Sequence, residues 1–186
     1  MSDILFNLIR DHVYNEDLIQ KVSLNSSDKK IRWIFNFKNQ SLSKIFLDEF
    51  SKVFWGVFPE LENVQIGGME AGAIPLVTAI ALNTSQNISL RSFYIRKSRK
   101  KNDLANLVEG ELLSDVPIIL VDDILNKGDT MERQVKILEN YGHKVSAIFV
   151  CLRYRDIKEY EGLLSRGIKI YSIFDLNSFE RVLPVK

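Results

Sequence analysis

Apolar residues along this chain change their spacing from segment to segment, and the changes mark out elements. Ile4, Leu5, Leu8, Ile9 and Val13 recur at helical spacing behind Ser2 and Asp3, which can cap, so the chain is expected to open on a helix. Trp33 to Phe37 is aromatic and β-branched and reads as a strand. Ser41 then opens a helix whose apolar face is Leu42, Ile45, Phe46, Phe50, Val53 and Phe54, ending near Gly56 and Pro59. From there the rhythm becomes strand, loop, helix. Val64 to Ile66 is a short strand, Gly67 to Ala73 a loop, and Ile74 to Leu82 a helix with Pro75 in its first turn. Ser89 to Ile95 is a strand, and a charged segment from Arg96 to Glu111 follows. After the apolar run Ile118 to Val121 come a helix from about Thr130 to Tyr141, stopped by Gly142, and a strand from Lys144 to Leu152. Ile157 to Ser165 reads as a helix and Ile168 to Phe174 as a last strand. Alternation of this kind predicts an α/β fold of βαβ units, a central parallel sheet with helices on both faces.

The run from Pro117 to Thr130 carries the most chemistry. Ile118 to Val121 are too short and too β-branched for a helix, so they read as a strand buried on both faces. Asp122 and Asp123 follow at its carboxyl end, where open α/β sheets bind ligands. If the backbone is still extended, the two side chains point to opposite sides. The turn after them has one glycine, Gly128, and leads into a helix, so backbone N–H groups and a helix N-terminus arrive at the same place. Acids for ribose hydroxyls or a metal, beside donors for a phosphate, point to a sugar phosphate.

Composition narrows the setting. At 186 residues, with 46% hydrophobic and 26% charged residues, the chain reads as a single domain able to bury a real core. A net charge of +1 argues against a bulk polyanion binder. Cys151 is the only cysteine and lies in an apolar run, so no internal disulfide is expected and a reducing cytoplasm is the expected setting. Asp3, Arg10 and Asp11 among the first apolar residues are unlike a signal peptide, and no apolar stretch approaches membrane-spanning length. There is no Walker A pattern and no G-x-G-x-x-G, and His12 and His143 are too isolated to propose a metal site.

Ile118 to Thr130 resembles the phosphoribosyl pyrophosphate (PRPP) motif of type I phosphoribosyltransferases: four apolar residues, two acids, two apolar residues, then a small-residue turn with glycine and Ser/Thr. The match takes in the strand, both acids, Ile124, Leu125, Gly128 and Thr130, and departs at Asn126 and Lys127. The resemblance implies that Asp122 and Asp123 hold the ribose hydroxyls. It also implies that the turn Asn126, Lys127, Gly128, Asp129, Thr130 takes the 5′-phosphate. Gly67 to Leu76 looks like the family's pyrophosphate loop, most closely in its orotate phosphoribosyltransferase group, with Gly68, Met69, Glu70, Ala71 and Gly72 as the binding stretch. In that group a non-proline cis peptide maps near Glu70-Ala71. Taken alone, a Gly-rich strand-to-helix loop is as often a plain connection.

Arg96 to Lys101 holds five basic residues in six, a pattern that on its own is more often solvated surface. In the orotate group a mobile loop here brings an Arg-Lys pair and a later lysine over the pyrophosphate, usually across a dimer interface. Arg96, Lys97 and Lys100 match, as does Glu109-Gly110, while the family's histidine is Asn102 here. The same resemblance makes Lys97, Lys100 and Asp123 the catalytic candidates. Leu24 to Asn36 resembles that group's N-terminal hood over the base: Ser27, Lys29, Lys30, Trp33, Phe35 and Asn36 fit, and Ser26, Asp28 and Ile31 stand where the pattern has lysine, glycine and serine. Ile34, Phe35 and Arg153 are the base-binding candidates, with a strand-end ion pair the alternative for Arg153.

The implied fold is therefore the type I phosphoribosyltransferase fold, a mainly parallel sheet flanked by helices, as one domain over 1–186 with a small hood from about 1–40. The implied activity is PRPP-dependent transfer to a pyrimidine, orotate first, with Mg²⁺ held mainly through PRPP and no protein metal ligand set. The implied partners are PRPP, a nucleobase and a second copy of the chain, with no nucleic acid and no membrane. Asn102, Gly72, Ser26 and Ile31 leave a rival reading open, a non-catalytic PRPP-binding module. Nucleic-acid binding through Arg96 to Lys101 is disfavoured because no aromatics interleave with the basic residues.

Overall fold

The computed structural model describes residues 2–13, 35–84, 87–98 and 106–180. Helix α1 (Asp3–Leu8) is capped by the Ser2 hydroxyl, which accepts the Leu5 N–H, and the expected continuation to Val13 is a π-turn, Ile9–Val13. Of the strand expected at Trp33 to Phe37, residues 35–37 are described and do not form one. Phe35 makes an isolated bridge, the Asn36 N–H donates to the Val13 carbonyl at 2.8 Å, and a turn starts at Phe37. The aromatic pattern there reflects core packing: Phe35 and Phe37 are both buried.

Helix α2 (Lys44–Val57) starts later than expected because Ser43, and not Ser41, accepts the Phe46 N–H. Ser41 sits instead in a 3₁₀ turn, Gln40–Leu42. Leu42 and Ile45 consequently fall on the outer side, 69% and 59% exposed, and Phe46, Phe50 and Phe54 carry the fully buried stripe.

The sheet is built from β1 (Asn63–Met69), β2 (Ser89–Ile95), β3 (Val108–Glu109), β4 (Ile118–Leu125), β5 (Val145–Arg153) and β6 (Lys169–Asp175), in the order β3-β2-β1-β4-β5-β6. All neighbours run parallel except β3, which lies antiparallel to β2. Helix α3 (Ala73–Leu82) connects β1 to β2, and α4 (Asp129–Asn140) connects β4 to β5. The helix expected at Ile157 to Ser165 is a 3₁₀ turn, Ile157–Tyr160, followed by α5 (Glu161–Leu164). Two elements escaped the sequence pattern: β3, inside the charged segment, and α6 (Asn177–Glu180) after the last strand.

Core packing covers both faces, as the apolar strands predict. Ile119 and Val121 of β4 join α1, α2 and α3 in one cluster, with Phe149, Cys151, Phe174 and Phe179. Ile118 and Leu120 join α4 and α5 in the other, with Ile148, Val150 and Tyr160. The alternation of β4 therefore continues into Asp122 and Asp123 with one acid on each side. Among the described residues no helix is long and apolar enough to cross a membrane.

Two strand ends differ from expectation in ways that shape the site. Strand β4 does not stop at Val121; it pairs with β5 through Asp122↔Val150, Ile124↔Leu152 and Leu125↔Arg153, so both acids are strand residues. Strand β1 does not stop at Ile66 either, and Gly67, Gly68 and Met69 pair with Phe93, Tyr94 and Ile95. Gly68 is there for space: a methyl group on it would overlap the Val121 carbonyl oxygen and lie 2.5 Å from the Ala73 Cβ. Gln65, fully buried one turn of pleat below, donates its amide to the Leu113 and Val116 carbonyls (2.9 and 3.1 Å) and accepts the Leu113 N–H at 2.6 Å. That fixes the segment entering β4.

Strand β1 has β2 on one side and β4 on the other, while α3 and α4 leave the ends of β1 and β4 onto opposite faces. Diverging connections at such a switch of strand order open a crevice at the carboxyl ends of the two strands. Gly68→Ala should cost about 1–3 kcal/mol and lower the melting temperature by about 2–4 °C for each of them. Gly56→Ala, inside α2 with open space around it, should instead be neutral or gain up to about 1 kcal/mol. Thermal denaturation of the pair checks this, and equal melting points would refute the close β1–β4 approach.

Candidate active site

The crevice between the β1 and β4 ends is where the expected residues gather. Beyond β4 the chain turns through Asn126, Lys127 and Gly128, and Gly128, at φ +92°, is the N-cap of α4. A side chain there would be strained, and none caps the helix, so the first N–H groups of α4 remain available to a ligand. Asp122 and residues 124–131 line an open cleft of about 250 Å³ at this helix end, with Asn126, Lys127, Asp129 and Thr130 exposed. The turn has the form of an anion seat.

Asp122 is half-buried as a residue, but its carboxyl is the enclosed part, with Oδ1 accepting the Asp123 N–H at 2.9 Å. Burial, and then the neighbouring Asp123 charge, pushes the Asp122 carboxyl well above the usual carboxylate range; the Asp123 N–H and the charge of Lys97 pull the other way. Asp123 acts on the opposite face. Its charge reaches the buried Cys151 thiol, which burial first and this charge second push up, and it reaches the Tyr154 phenol. Burial pushes that phenol up to about 12, opposed by a hydrogen bond to the Phe35 backbone and aided by Asp123.

At the end of β1 the loop is shorter than expected, since Gly68 and Met69 are buried in the strand; Glu70, Ala71 and Gly72 are what faces the crevice. The Glu70-Ala71 peptide is cis. A methyl group on Gly72 would lie 3.4 Å from Asp122 Oδ1 and 3.9 Å from both Asp123 carboxylate oxygens, so this loop stands directly over the acid pair.

The third wall is the start of the basic segment. The Lys97 N–H donates to Glu70 Oε1 at 2.9 Å, and the Arg133 guanidinium donates to the Lys97 carbonyl at 2.6 Å. The Lys97 backbone is thus held on both of its sides, by the β1 loop and by α4, which keeps Lys97 close enough for its charge to act on Asp122. Arg96 is bound differently: its backbone N–H donates to Leu107 at 2.8 Å and its guanidinium pairs with Glu109 at 3.1 Å, while its buried Nε has no partner among the described residues.

The base-site candidates form a looser group. The Phe35 ring packs against Tyr154 and Phe179, with centroids 5.8 and 5.5 Å apart, and so has little free face. Arg153 takes the strand-end ion pair: it lies 3.6 Å from Asp175 and 3.4 Å from the Ser172 hydroxyl, and donates to the Arg155 carbonyl. Ile34 and Lys100 lie outside the described residues, as do Trp33, Lys29, Lys30 and Asn102. Sequence reasoning missed Arg133, Tyr154 and Tyr160. Arg133 could have been found from its place one helical turn beyond Thr130, on the helix that opens at the phosphate turn. Nothing in the pattern marked the tyrosines.

Carboxylate acceptors over a helix N-terminus, a glycine loop beside them and a lysine held at the rim have the chemistry that a phosphorylated sugar would need. Residues 44–180 match the family described as phosphoribosyl transferase domain, and the chain belongs to that family. Relatives named orotate phosphoribosyltransferase include one from Pyrococcus abyssi, 32% identical over 113 residues, a match covering 61% of this chain and 59% of that protein. Another, from Aquifex aeolicus, is 25% identical over 173 residues, covering 86% and 92%. The first of these matches thus spans about three fifths of the relative's length. The crystal structure of Mycobacterium tuberculosis orotate phosphoribosyltransferase in complex with PRPP superposes with a TM-score of 0.67 at 17% identity, over 95% of this chain and 92% of that one. The expected type I phosphoribosyltransferase fold is therefore the one observed.

The raised Asp122 pKa has a consequence for stability. As pH rises past the ordinary carboxylate value the unfolded chain loses this proton while the folded chain keeps it, so folding is disfavoured progressively above about pH 4. Asp122→Asn should therefore melt higher than the parent at pH 8, by on the order of 2–4 °C, with the gain shrinking towards pH 4. Parallel melting curves at the two pH values check this; a gain that does not depend on pH would refute the enclosed carboxyl.

Proposed function

We propose that this chain is a PRPP-dependent phosphoribosyltransferase that transfers the phosphoribosyl group to a pyrimidine, orotate being the first candidate, and releases pyrophosphate. The observation that carries the reading is the placement of Gly72 over the acid pair, where an added methyl group would lie 3.4 Å from Asp122 Oδ1 and 3.9 Å from the Asp123 carboxylate oxygens. In this reading a ribose sits on the acids with its 5′-phosphate on one side and its 1-pyrophosphate on the other. The named activity of the Pyrococcus abyssi and Aquifex aeolicus relatives supports orotate.

In this reading Asp122 and Asp123 take the ribose hydroxyls, and the turn Asn126 to Thr130 binds the 5′-phosphate through backbone N–H groups and the Thr130 hydroxyl. Glu70, Ala71 and Gly72 bind the pyrophosphate through backbone atoms, with Gly68 and Met69 supporting them from within β1. Negative charge grows on the pyrophosphate as its bond to C1 breaks and the base nitrogen bonds to C1. Lys97, Lys100 and Arg96 oppose that charge, and closure of their loop excludes water that would hydrolyse PRPP. Mg²⁺ fits the oxygen-only donor set, and among the described residues no group of three His, Cys, Asp or Glu could cage it. It would be held mainly by PRPP, and when bound it neutralises the leaving group. Arg153, Phe35 and Ile34 belong to the base end, under a hood from about residues 1–40 of one domain. The working form is a cytoplasmic homodimer, with Lys100 supplied across the interface.

Incubation with PRPP, Mg²⁺ and a panel of bases, followed by mass spectrometry, should yield orotidine 5′-phosphate and pyrophosphate. Lys97→Ala and Asp123→Asn should each lower kcat by about 100-fold, and chelation of Mg²⁺ should abolish turnover. PRPP binding by calorimetry without product from any base would instead favour a non-catalytic binding module.

A further inference from the structure

Tyr160 is 2% exposed and stands outside every motif named so far. It ends the 3₁₀ turn Ile157–Tyr160, which a capping box of Asp156 and Glu159 fixes in place. Its hydroxyl lies 3.0 Å from the Leu125 carbonyl oxygen and 2.9 Å from that of Asn126, and it accepts the Arg155 N–H at 3.3 Å. One phenolic proton shared between two carbonyls is a three-centre bond. The ring meanwhile backs the turn: a methyl group on Gly128 would meet it at 3.3 Å.

A trans peptide unit is planar, with its C=O and N–H pointing opposite ways. The Leu125 carbonyl also accepts the Tyr154 N–H at 2.9 Å, so Tyr160 shares that group with strand β5, whereas its bond to the Asn126 carbonyl turns the Lys127 N–H away from the ring, toward the cleft side of the turn. We propose that Tyr160 is a positioning residue for the phosphate cradle, setting the Asn126–Lys127 peptide unit, and bracing the one before it together with the Tyr154 N–H, so that the Lys127 N–H is aimed at the 5′-phosphate. The inference rests on the phosphoribosyl reading of this turn. It adds that this donor is oriented from behind, by a side chain that never touches the ligand.

Tyr160→Phe keeps the ring and removes only the hydroxyl. Two probes separate the two ends of the site: ribose 5-phosphate, which needs the phosphate turn, and pyrophosphate with Mg²⁺, which needs the Glu70–Gly72 loop. By calorimetry the variant should bind ribose 5-phosphate about 5- to 10-fold more weakly, the net worth of about one hydrogen bond, and pyrophosphate within about twofold of the parent. In the transferase assay KM for PRPP should rise by the same factor with kcat nearly unchanged. Unchanged ribose 5-phosphate affinity, or equal weakening toward both probes, would overturn the proposal. A parent protein that binds pyrophosphate but not ribose 5-phosphate would overturn the phosphoribosyl reading itself, and the role of Tyr160 with it.

Discussion

The site depends on how closely the ends of β1 and β4 approach, and Gly68 sets that approach. Its α-carbon lies against the Val121 carbonyl and the Ala73 side chain, where no methyl group fits. Two parallel strands at this distance bring their following loops together, and the diverging helices keep the space above them open. Gly72 ends up over the acid pair as a consequence. Were the strands further apart, the acids and the glycine loop would be separate surface features and could not share one small ligand. Gln65 supports the same junction from below by holding the segment that enters β4.

That geometry has an electrostatic cost which the surroundings reduce without removing. Two adjacent carboxylates at an enclosed strand end repel, and Asp122, on the side of the phosphate turn, bears the burial. Nearby counter-charge comes from Lys97, whose own backbone is held by Glu70 and Arg133. A cationic ligand complex, or a sugar whose hydroxyls donate to the carboxylates, would relieve what remains. An active site that is least comfortable when empty binds its ligand partly by that relief.

The acids, the phosphate turn and the α/β rhythm were legible because each rests on local chemistry: a β-branched run, an adjacent acid pair, a glycine before a helix. The strand ends were misread for a definable reason. Gly67 and Gly68 look like loop residues in one dimension, but here glycine serves close packing, of Gly67 against the Phe93 ring and of Gly68 against the Val121 carbonyl, both far along the chain. Asp122 and Asp123 likewise look like a strand terminus, although pairing with β5 carries the ladder through them to Leu125. Ser41 and Ser43 are equivalent caps on paper; the Phe46 N–H selects one of them. Arg133 and Tyr160 both act on backbone carbonyls, which have no sequence signature, so Tyr160 was invisible and only the place of Arg133 on α4 could have marked it.

Those two residues point to a division of labour across the crevice. In the proposed site the groups that face the ligand at the phosphate end are largely backbone N–H groups, which cannot be mutated away but can be misaimed, and Tyr160 stands behind them. At the end proposed for the base, side chains are what the surroundings hold: Arg153 by Asp175, Ser172 and the Arg155 carbonyl, and Tyr154 by the Phe35 backbone. Backbone recognition suits a group that every substrate of such a site shares, because it tolerates sequence drift in the turn, as Asn126 and Lys127 illustrate. Side-chain recognition suits the group that varies. If the proposed transfer holds, the base is therefore set by a few residues at the β5 end, and it can change without disturbing how the phosphate is held.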